Sequence, residues 1–391
     1  MPAWGIAGIV IAVILIFGLC IIIWFLARRK ILALQEIVED QIETERQYKL
    51  GSVSEIRYHN MPPTMKDEWE IERKFVSVDY SNKLGEGAFG SVYCGRVVAK
   101  NLPNGTGRSV VELAELNKNN DTVAVKMLHD SADIQTERDF RLEIDAMKRI
   151  GYHERLVNVL ACVTLSDPVL LITEYCHNGD LLEFMRQRRT YMIETPENHD
   201  EEKIITAKKQ IMFAIQVAYG LEYISSRGFI HRDIAARNIL VDERETCKIG
   251  DFGLCRIVGK KDDNYLAHGG KLPLKWMSPE AIDKYQFSVA SDVWSFGILL
   301  YEILTLGGVP YAGWPAAEQI ISRSNSQHEL KRRKPFSFRF EIVLDCWADL
   351  PSERPSFTLI RKRLGVLLED VNQDNYYLKL NPSANYYVLE S

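Results

Sequence analysis

One short stretch in the second half of the chain constrains the fold more than any other feature. Residues 230–240 read Ile-His-Arg-Asp-Ile-Ala-Ala-Arg-Asn-Ile-Leu, and Asp-Phe-Gly follows at 251–253. A single carboxylate in such a stretch is typical of a solvated loop. The ordered set of Asp233, Asn238 and Asp251 is a more specific signal, because separate motifs must occur together and in order along the chain.

A glycine-rich segment lies upstream, at Gly85-Glu86-Gly87-Ala88-Phe89-Gly90. Glycine lets the backbone approach phosphate groups because it has no side chain in the way. The pattern alone is weak evidence, since a dinucleotide-binding fold uses it between a strand and a helix. Here residues 91–98 alternate as a strand does. This order favours a β-hairpin folded over a nucleotide.

A lysine and a glutamate form the next element of the pattern. Residues 123–126, Val-Ala-Val-Lys, predict a strand with Ala124 and Lys126 on one face. An isolated lysine on a strand is usually just solvated. Residues 140–147, however, predict a helix with an apolar face, and Glu143 within it is placed to pair with Lys126.

Together these motifs resemble the signature set of the protein-kinase family in order and separation. The resemblance runs from Val78 to Asp370. It implies an α+β, bilobal protein-kinase fold, with a small β-rich N-lobe over 78–175 and a larger α-helical C-lobe over 176–370. It also implies ATP and Mg²⁺ as cofactors, with Mn²⁺ as an alternative ion.

The resemblance assigns roles to individual residues. The implied ATP-binding residues are Leu84, Gly85, Glu86, Gly87, Ala88, Phe89, Gly90, Val92, Ala124, Lys126, Thr173, Glu174, Cys176 and Leu240. The implied catalytic residues are Lys126, Glu143, Asp233, Arg237 and Asn238, and the implied metal ligands are Asn238 and Asp251. In this assignment Lys126 binds the α- and β-phosphates, and Asp233 accepts or orients the proton of the substrate hydroxyl.

Two segments favour tyrosine as the phosphate acceptor. Serine/threonine kinases usually place a lysine two residues after the catalytic aspartate, where this chain has Ala235, followed by Arg237. Residues 271–280 read Lys-Leu-Pro-Leu-Lys-Trp-Met-Ser-Pro-Glu, which resembles the tyrosine kinases. The resemblance implies an apolar surface near Pro273 for the substrate ring.

Further motifs refine the resemblance to the receptor-type kinases. The segment 172–176 and the Trp69-Glu70 pair most resemble the platelet-derived and fibroblast growth factor receptor branch. The family pattern also implies a structural ion pair between Glu280 and Arg354. A basic run at 331–334 departs from that pattern and leaves the catalytic set untouched.

An apolar segment near the N-terminus predicts a membrane anchor. Residues 3–26 carry no charge, and a helix of that length spans about 36 Å, enough for a bilayer core of about 30 Å. The basic residues 28–30 follow directly and mark the cytoplasmic side. A cleaved signal peptide fits less well, because the run is too long and no basic segment precedes it.

The predicted organisation is therefore that of a single-pass protein of the cell membrane. It comprises an extracellular stub at 1–2, a transmembrane helix at 3–27, a juxtamembrane segment at 28–77, the cytoplasmic kinase domain and a disordered, tyrosine-rich tail at 371–391. The ectodomain is expected to be almost absent, as in small nematode receptor-like tyrosine kinases.

Composition excludes several other classes of protein. The net charge of -5 is mild, so nothing in it indicates binding to nucleic acid. The seven cysteines show no Cys-x-x-Cys spacing. Neither a disulfide framework nor a zinc site is therefore indicated.

Tyrosines outside the catalytic motifs predict control by phosphorylation. Tyr265 is the only tyrosine between Asp251 and Glu280, so we expect it to be the activation-loop phosphosite, paired with Arg232. The predicted tail phosphosites are Tyr376, Tyr377, Tyr386 and Tyr387. They would recruit phosphotyrosine-binding adaptor domains. A disordered tail with incidental tyrosines is the alternative.

The expected partners are ATP, tyrosine-containing proteins, the lipid bilayer and a second chain in a transient homo- or heterodimer. One alternative from another class remains, a membrane-anchored pseudokinase scaffold that binds nucleotide or partners without turnover. Pseudokinases usually lose a catalytic or metal-binding residue. This chain retains Lys126, Asp233, Asn238 and Asp251, which favours an active enzyme.

Overall fold

A computed structural model describes residues 67–87, 90–98, 102, 121–129, 131–195, 200–258, 265–266, 273–310, 340–373, 379–380 and 387–388. The predicted transmembrane helix at 3–27 lies outside the described residues. Among the helices that are described, none combines the length and the apolar character that a membrane crossing requires.

An antiparallel sheet forms the N-terminal part of the fold. Its strands are β1 (Val76–Glu86), β2 (Gly90–Val97), β3 (Thr122–Leu128), β4 (Val159–Val163) and β5 (Leu170–Glu174), in the order β1-β2-β3-β5-β4. Val123 and Val125 are fully buried on one face of β3, and Ala124 and Lys126 lie on the other. The predicted alternation of this strand is therefore present.

Helix α1 (Ile134–Ile150) packs against this sheet. Asp133 begins it, because its carboxylate accepts the N–H of Thr136 at 2.8 Å. Gly151 ends it with φ 80°, a backbone conformation that glycine adopts without strain. The buried face of the helix consists of Phe140, Glu143, Ile144, Ala146, Met147 and Ile150. Glu143 therefore points toward the sheet.

The C-terminal part is mainly helical. Its helices are α2 (Leu181–Glu194), α3 (Ala207–Ser226), α4 (Pro279–Lys284), α5 (Val289–Leu304), α6 (Phe340–Cys346) and α7 (Phe357–Gln373). Helix α5 is buried along most of its length and packs against α3 and α6. A helix that is apolar on nearly every side belongs in a core, where it gives the surrounding loops a fixed support.

Short paired strands hold the loops that carry the polar motifs. Strand β6 (Phe229–Ile230) pairs with β9 (Arg256–Ile257), and β7 (Ile239–Val241) pairs with β8 (Cys247–Ile249). These two ladders fix both ends of the loop 231–238 and of the segment 250–255. The two loops are therefore held side by side.

Two further pairs lie later in the chain. Strand β10 (Tyr265–Leu266) pairs with β11 (Gln286–Phe287). Strand β12 (Lys379–Leu380) pairs with β13 (Tyr387–Val388), within the tail that composition alone predicts to be disordered.

Residues 67–71, which we call the strap, lie along the edge of the sheet. The N–H of Ile71 donates to Cys162 O at 3.0 Å, and the N–H of Cys162 donates to Trp69 O at 2.8 Å. The buried carboxylate of Glu70 accepts bonds from the N–H and hydroxyl of Thr164 at 2.7 and 2.8 Å. The strap, although it falls in the sequence-predicted juxtamembrane segment, thus forms a parallel β-bridge to β4 between Glu70 and Cys162.

The strap also contacts α1. Lys148 Nζ lies 2.7 Å from Asp67 Oδ2. Asp67, Glu70 and Cys162 are together close enough to resemble a metal site. The ammonium of Lys148 offsets the charge of Asp67, and the donors of Thr164 stabilise the carboxylate of Glu70. We therefore interpret the cluster as a packing contact of the strap with the sheet and α1.

Candidate active site

A lysine from the sheet and a glutamate from α1 lie at the centre of the candidate site. Lys126 Nζ donates to both carboxylate oxygens of Glu143, at 2.6 and 2.8 Å, and Asp251 Oδ1 lies 3.8 Å from the same nitrogen. Burial disfavours the charged ammonium, but the carboxylates of Glu143 and Asp251 outweigh it and raise the pKa of Lys126. The lysine is therefore held in its charged form.

Asp233 lies in the loop 231–238 beside Arg237. Its Oδ1 accepts a hydrogen bond from Arg237 Nη2, and 14 % of its side chain is exposed. Burial raises the pKa of Asp233, and the guanidinium of Arg237 opposes that shift. A mostly buried carboxylate with a raised pKa and one accessible edge is suited to accept a proton.

A buried aspartate on α5 supports the loop just before Asp233. Asp292 accepts the N–H of His231 at 2.7 Å and the N–H of Arg232 at 2.9 Å. Arg232 has φ 72°, which residues other than glycine rarely adopt. The two hydrogen bonds that Asp292 accepts therefore hold an unfavourable backbone conformation directly before Asp233.

The same loop is linked to the Asp-Phe-Gly segment. His231 Nε2 donates to Gly250 O at 3.1 Å, and the N–H of Gly250 donates to Asn238 O at 2.8 Å. Phe252 is buried, and its ring meets the imidazole of His231 edge to face. Asp233, Asn238 and Asp251 thus lie on adjoining segments, and the protein-kinase resemblance implies that they share a site.

The oxygen atoms of Asn238 and Asp251 fit a hard divalent cation. Asn238 Nδ2 donates to Asp233 O at 2.8 Å, which leaves the amide oxygen as the free end of the side chain for a cation. Asp251 is about half exposed, with φ 55°. Mg²⁺ prefers carboxylate and amide oxygens and keeps several of its waters. Both residues present such oxygens at the cleft.

The residues predicted to line the nucleotide pocket lie on four strands. Val92 and Ala124 lie on neighbouring strands, and Thr173 is paired with Ala124 across β3 and β5. Leu240 lies in β7 and is partly exposed, as Val92, Ala124 and Thr173 also are. Their partial exposure leaves surface that a flat aromatic ligand could contact.

The glycine-rich turn divides into structural and open positions. A Cβ at Gly90 would collide with the carbonyl oxygen of Met127, so this position excludes a side chain. Gly85 has no atom within 4 Å of such a Cβ, and Gly87 has only Gly90 O at 3.6 Å. The fold itself leaves space at these two positions for a ligand to approach the backbone. Leu84 and Glu86 flank this turn in β1, and Ala88 and Phe89 lie outside the described residues.

The segment that connects the sheet to the helical part is fixed by its side chains. Glu174 Oε1 accepts two bonds from Asn158, both at 2.7 Å, and Oε2 lies 2.9 Å from Lys248 Nζ. Cys176 is buried, which raises the pKa of its thiol. Its backbone N–H has no acceptor among the described residues. This N–H remains available to a ligand in the cleft.

The ion pair expected between Glu280 and Arg354 is present. Arg354 Nη1 and Nη2 donate to the two oxygens of Glu280 at 2.6 and 2.9 Å, and the arginine side chain is fully buried. Arg354 also bonds the carbonyls of Ala348 and Ala290. The pair joins α4, which follows the segment 273–276, to the loop before α7.

Sequence reasoning assigned no role to two buried carboxylates on α5, Asp292 and Glu302. The sequence feature that points to them is a charged residue within an otherwise apolar helix. Burial of a carboxylate is costly unless it is hydrogen-bonded, so such a residue has specific partners. Of the predicted phosphosites, Tyr265 and Tyr387 are described only as members of β10 and β13. Tyr376, Tyr377 and Tyr386 lie outside the described residues.

The chain is similar in sequence to known proteins. The family model of protein tyrosine and serine/threonine kinases matches residues 78–364. A Caenorhabditis elegans protein that carries a tyrosine-protein kinase name is 38 % identical over 323 residues, which are 81 % of this chain and 37 % of that protein. Tyrosine kinase receptor Cad96Ca of Drosophila melanogaster is 38 % identical over 328 residues, or 83 % of this chain and 40 % of the receptor.

A fibroblast growth factor receptor of Hydra vulgaris is 38 % identical over 311 residues, which are 79 % of this chain and 35 % of the receptor. The alignments therefore cover 35 % to 40 % of the lengths of these three relatives.

Proposed function

Because the chain belongs to the protein tyrosine and serine/threonine kinase family, we propose that it transfers the γ-phosphate of ATP to tyrosine hydroxyl groups of proteins. The main support for this proposal is the Lys126–Glu143 pair, since Lys126 Nζ also lies 3.8 Å from Asp251 Oδ1. Phosphoryl transfer needs positioning and charge neutralisation more than covalent help from the protein. The site supplies both.

Each residue has a distinct task in the proposed reaction. Lys126 binds the α- and β-phosphates, while the backbone at Gly85 and Gly87 covers them. Asp233 orients the tyrosine hydroxyl and takes its proton as the oxygen attacks the γ-phosphorus. The bond from phosphorus to the bridging oxygen breaks, and ADP leaves. Mg²⁺ held by Asn238 and Asp251 would offset the negative charge of the phosphates.

Two features support tyrosine as the acceptor. The position where serine/threonine kinases use a lysine is occupied here by Ala235, which is fully buried. Leu274 is 38 % exposed in the short 3₁₀ turn Leu274–Trp276, and it offers an apolar surface to a phenol ring. The resemblance to tyrosine kinases implies that a longer acceptor side chain reaches Asp233 from this surface.

The proposed activity is tested by incubating the purified chain with ATP, Mg²⁺ and two peptides that differ only in tyrosine or serine at the acceptor position. We expect phosphate on the tyrosine peptide alone. If neither Mg²⁺ nor Mn²⁺ supports transfer while ATP still raises the unfolding temperature, the chain is a nucleotide-binding pseudokinase scaffold.

We also propose that residues 3–27 anchor the chain in the cell membrane with the kinase domain in the cytoplasm. The uncharged run and the basic residues 28–30 support this. The N-terminal stub would lie outside, and a transient dimer would bring two kinase domains together for autophosphorylation. Phosphorylated tail tyrosines would then bind adaptor domains.

Replacing Glu143 by glutamine should lower kcat/KM for ATP by about 10- to 100-fold. A hydrogen bond to a charged partner contributes about 1.5–3 kcal/mol, and the variant loses the charge that positions Lys126. Steady-state kinetics with varied ATP measure the effect. Glu137 lies on the same helix in an exposed pair with Arg141 at 2.9 Å. Glu137→Gln should therefore match the parent, and an unchanged Glu143→Gln enzyme would contradict the assigned role.

Tyr265 is proposed as the activation-loop phosphosite. Its strand β10 pairs with β11, where Tyr265 is the partner of Phe287. The guanidinium of Arg232 lies 4.3 Å from the ring of Phe287. A phosphate on Tyr265 would therefore find a cation close by.

Preincubation with ATP should accelerate the parent enzyme about tenfold, because one new charge-assisted pair contributes about 1.5 kcal/mol or more. We expect Tyr265→Phe to abolish this acceleration. Peptide phosphorylation before and after preincubation measures it. Tyr219→Phe, an exposed position on α3, is the control. Equal activation in parent and Tyr265→Phe would exclude this site.

A further inference from the structure

A second buried carboxylate of α5 has contacts that the proposed catalytic set does not explain. Glu302 is 1 % exposed in the last turn of this apolar helix. A carboxylate at such depth is costly unless its oxygens receive hydrogen bonds. Its partners therefore indicate what the charge is for.

One oxygen of Glu302 joins two separate segments. Oε2 accepts the N–H of Ala236 at 2.9 Å and the indole Nε1–H of Trp276 at 3.1 Å. Ala236 belongs to the loop that carries Asp233, and Trp276 ends the 3₁₀ turn that exposes Leu274. Glu302 thus connects the catalytic loop to the surface proposed for the acceptor tyrosine.

The indole of Trp276 in turn positions an arginine. The guanidinium of Arg237 lies 4.2 Å from the ring centroid of Trp276, and its Nη2 donates to Asp233 Oδ1. A planar guanidinium stacks on an aromatic face, which fixes the plane of its donors. The orientation of the indole therefore sets the direction from which Arg237 reaches Asp233.

We propose that Glu302 is a positioning residue that acts through Trp276 and Arg237 to align Asp233 with an acceptor tyrosine at Leu274. This inference rests on the proposed kinase activity and deepens it. The side-chain hydrogen bonds of Glu302 go to Ala236 and Trp276, and not to Lys126 or the residues predicted to bind ATP. Replacing Glu302 should therefore change kcat for the peptide and leave KM for ATP unchanged.

The test compares Glu302→Met with Glu302→Gln in the full chain. Methionine fills the space but leaves Ala236 and Trp276 without an acceptor, whereas the glutamine amide oxygen can accept both bonds. Misalignment of a catalytic group by 1 Å can cost 10²-fold, so we expect Glu302→Met to lose about 10- to 100-fold in kcat. KM for ATP should stay constant, and Glu302→Gln should restore most of kcat.

A variant of Trp276 tests the route. Trp276→Phe keeps a ring face for Arg237 but removes the Nε1–H donor, so its kcat should fall in the same direction. Adding it to Glu302→Met should cost little more, because residues that act through one chain of contacts are not additive. Glu222→Met is the control, since Glu222 on α3 pairs with Arg361 at 2.6 Å, away from this chain of contacts.

The outcomes separate the two proposals. A parent chain that transfers phosphate, together with a Glu302→Met enzyme of unchanged kcat, overturns the inference alone. Fully additive losses in the double variant also overturn it, as does a parallel change in KM for ATP. A parent chain without any transfer overturns both proposals. If Glu302→Met does not fold, Trp276→Phe and Glu302→Gln decide the question by the same split between kcat and KM.

Discussion

We expect Asp233→Asn to lose about 10²- to 10⁴-fold in kcat, the usual contribution of a positioned general base. Asparagine has almost the same shape and can still meet Arg237, so the affinity for ATP should be unchanged. The variant lacks only the basic oxygen that receives the hydroxyl proton. Peptide kinetics at saturating ATP measure the loss.

The pH dependence of the same reaction gives a second check. Burial raises the pKa of Asp233, and only its deprotonated form can accept a proton. As the pH is lowered, the parent kcat should therefore begin to fall at a higher pH than it would if the base were an exposed aspartate. This acidic limb should be missing from the residual activity of Asp233→Asn. Asp145→Asn is the control, because Asp145 forms an exposed pair with Arg149 on α1. An Asp233→Asn enzyme that keeps the parent rate would exclude Asp233 from the mechanism.

Arg354→Ala should be the most destabilising single substitution at an ion pair in the described part of the chain. Removing one partner of a buried pair costs about 3–5 kcal/mol, because the remaining charge is left without compensation. Here Glu280 would lose both guanidinium donors, and the carbonyls of Ala348 and Ala290 would lose theirs. Urea denaturation of the parent and the variant measures the difference.

The matched control is Arg361→Ala. Arg361 pairs with Glu222 at the same 2.6 Å distance, but 37 % of its side chain is exposed. Exposed pairs contribute about 0–1 kcal/mol, so this variant should remain close to the parent. Comparable losses in the two variants would show that burial of the pair is not what stabilises the domain.

Much of the candidate site could be predicted from the sequence because its residues occur in short ordered motifs. The alternation at Val123 to Lys126 gave the cleft face of β3, and the helical spacing around Glu143 gave the buried face of α1. The sheet, the helical part and the Glu280–Arg354 pair also follow the family pattern. These features depend on local periodicity and on motif order, which a single sequence carries.

Other features depend on contacts between segments far apart in the chain. The role of Glu302 follows only when Ala236 and Trp276 are seen to share one of its oxygens. Asp292 accepts two bonds from the loop before Asp233, and these bonds have no sequence signature. The sequence analysis places the strap in the juxtamembrane segment 28–77, because the kinase motifs and the resemblance they carry begin at Val78. Pairing across more than 90 residues leaves no local pattern.

The strap has a practical consequence for how the domain behaves in isolation. Strand β4 ends the order of the five-stranded sheet, and residues 69 and 71 bond the outward-facing N–H and C=O of Cys162. A recombinant fragment cut at residue 78 would leave those groups bare, and an unprotected edge is a template for pairing with another molecule. Such a fragment should aggregate where one that begins before Asp67 stays dispersed.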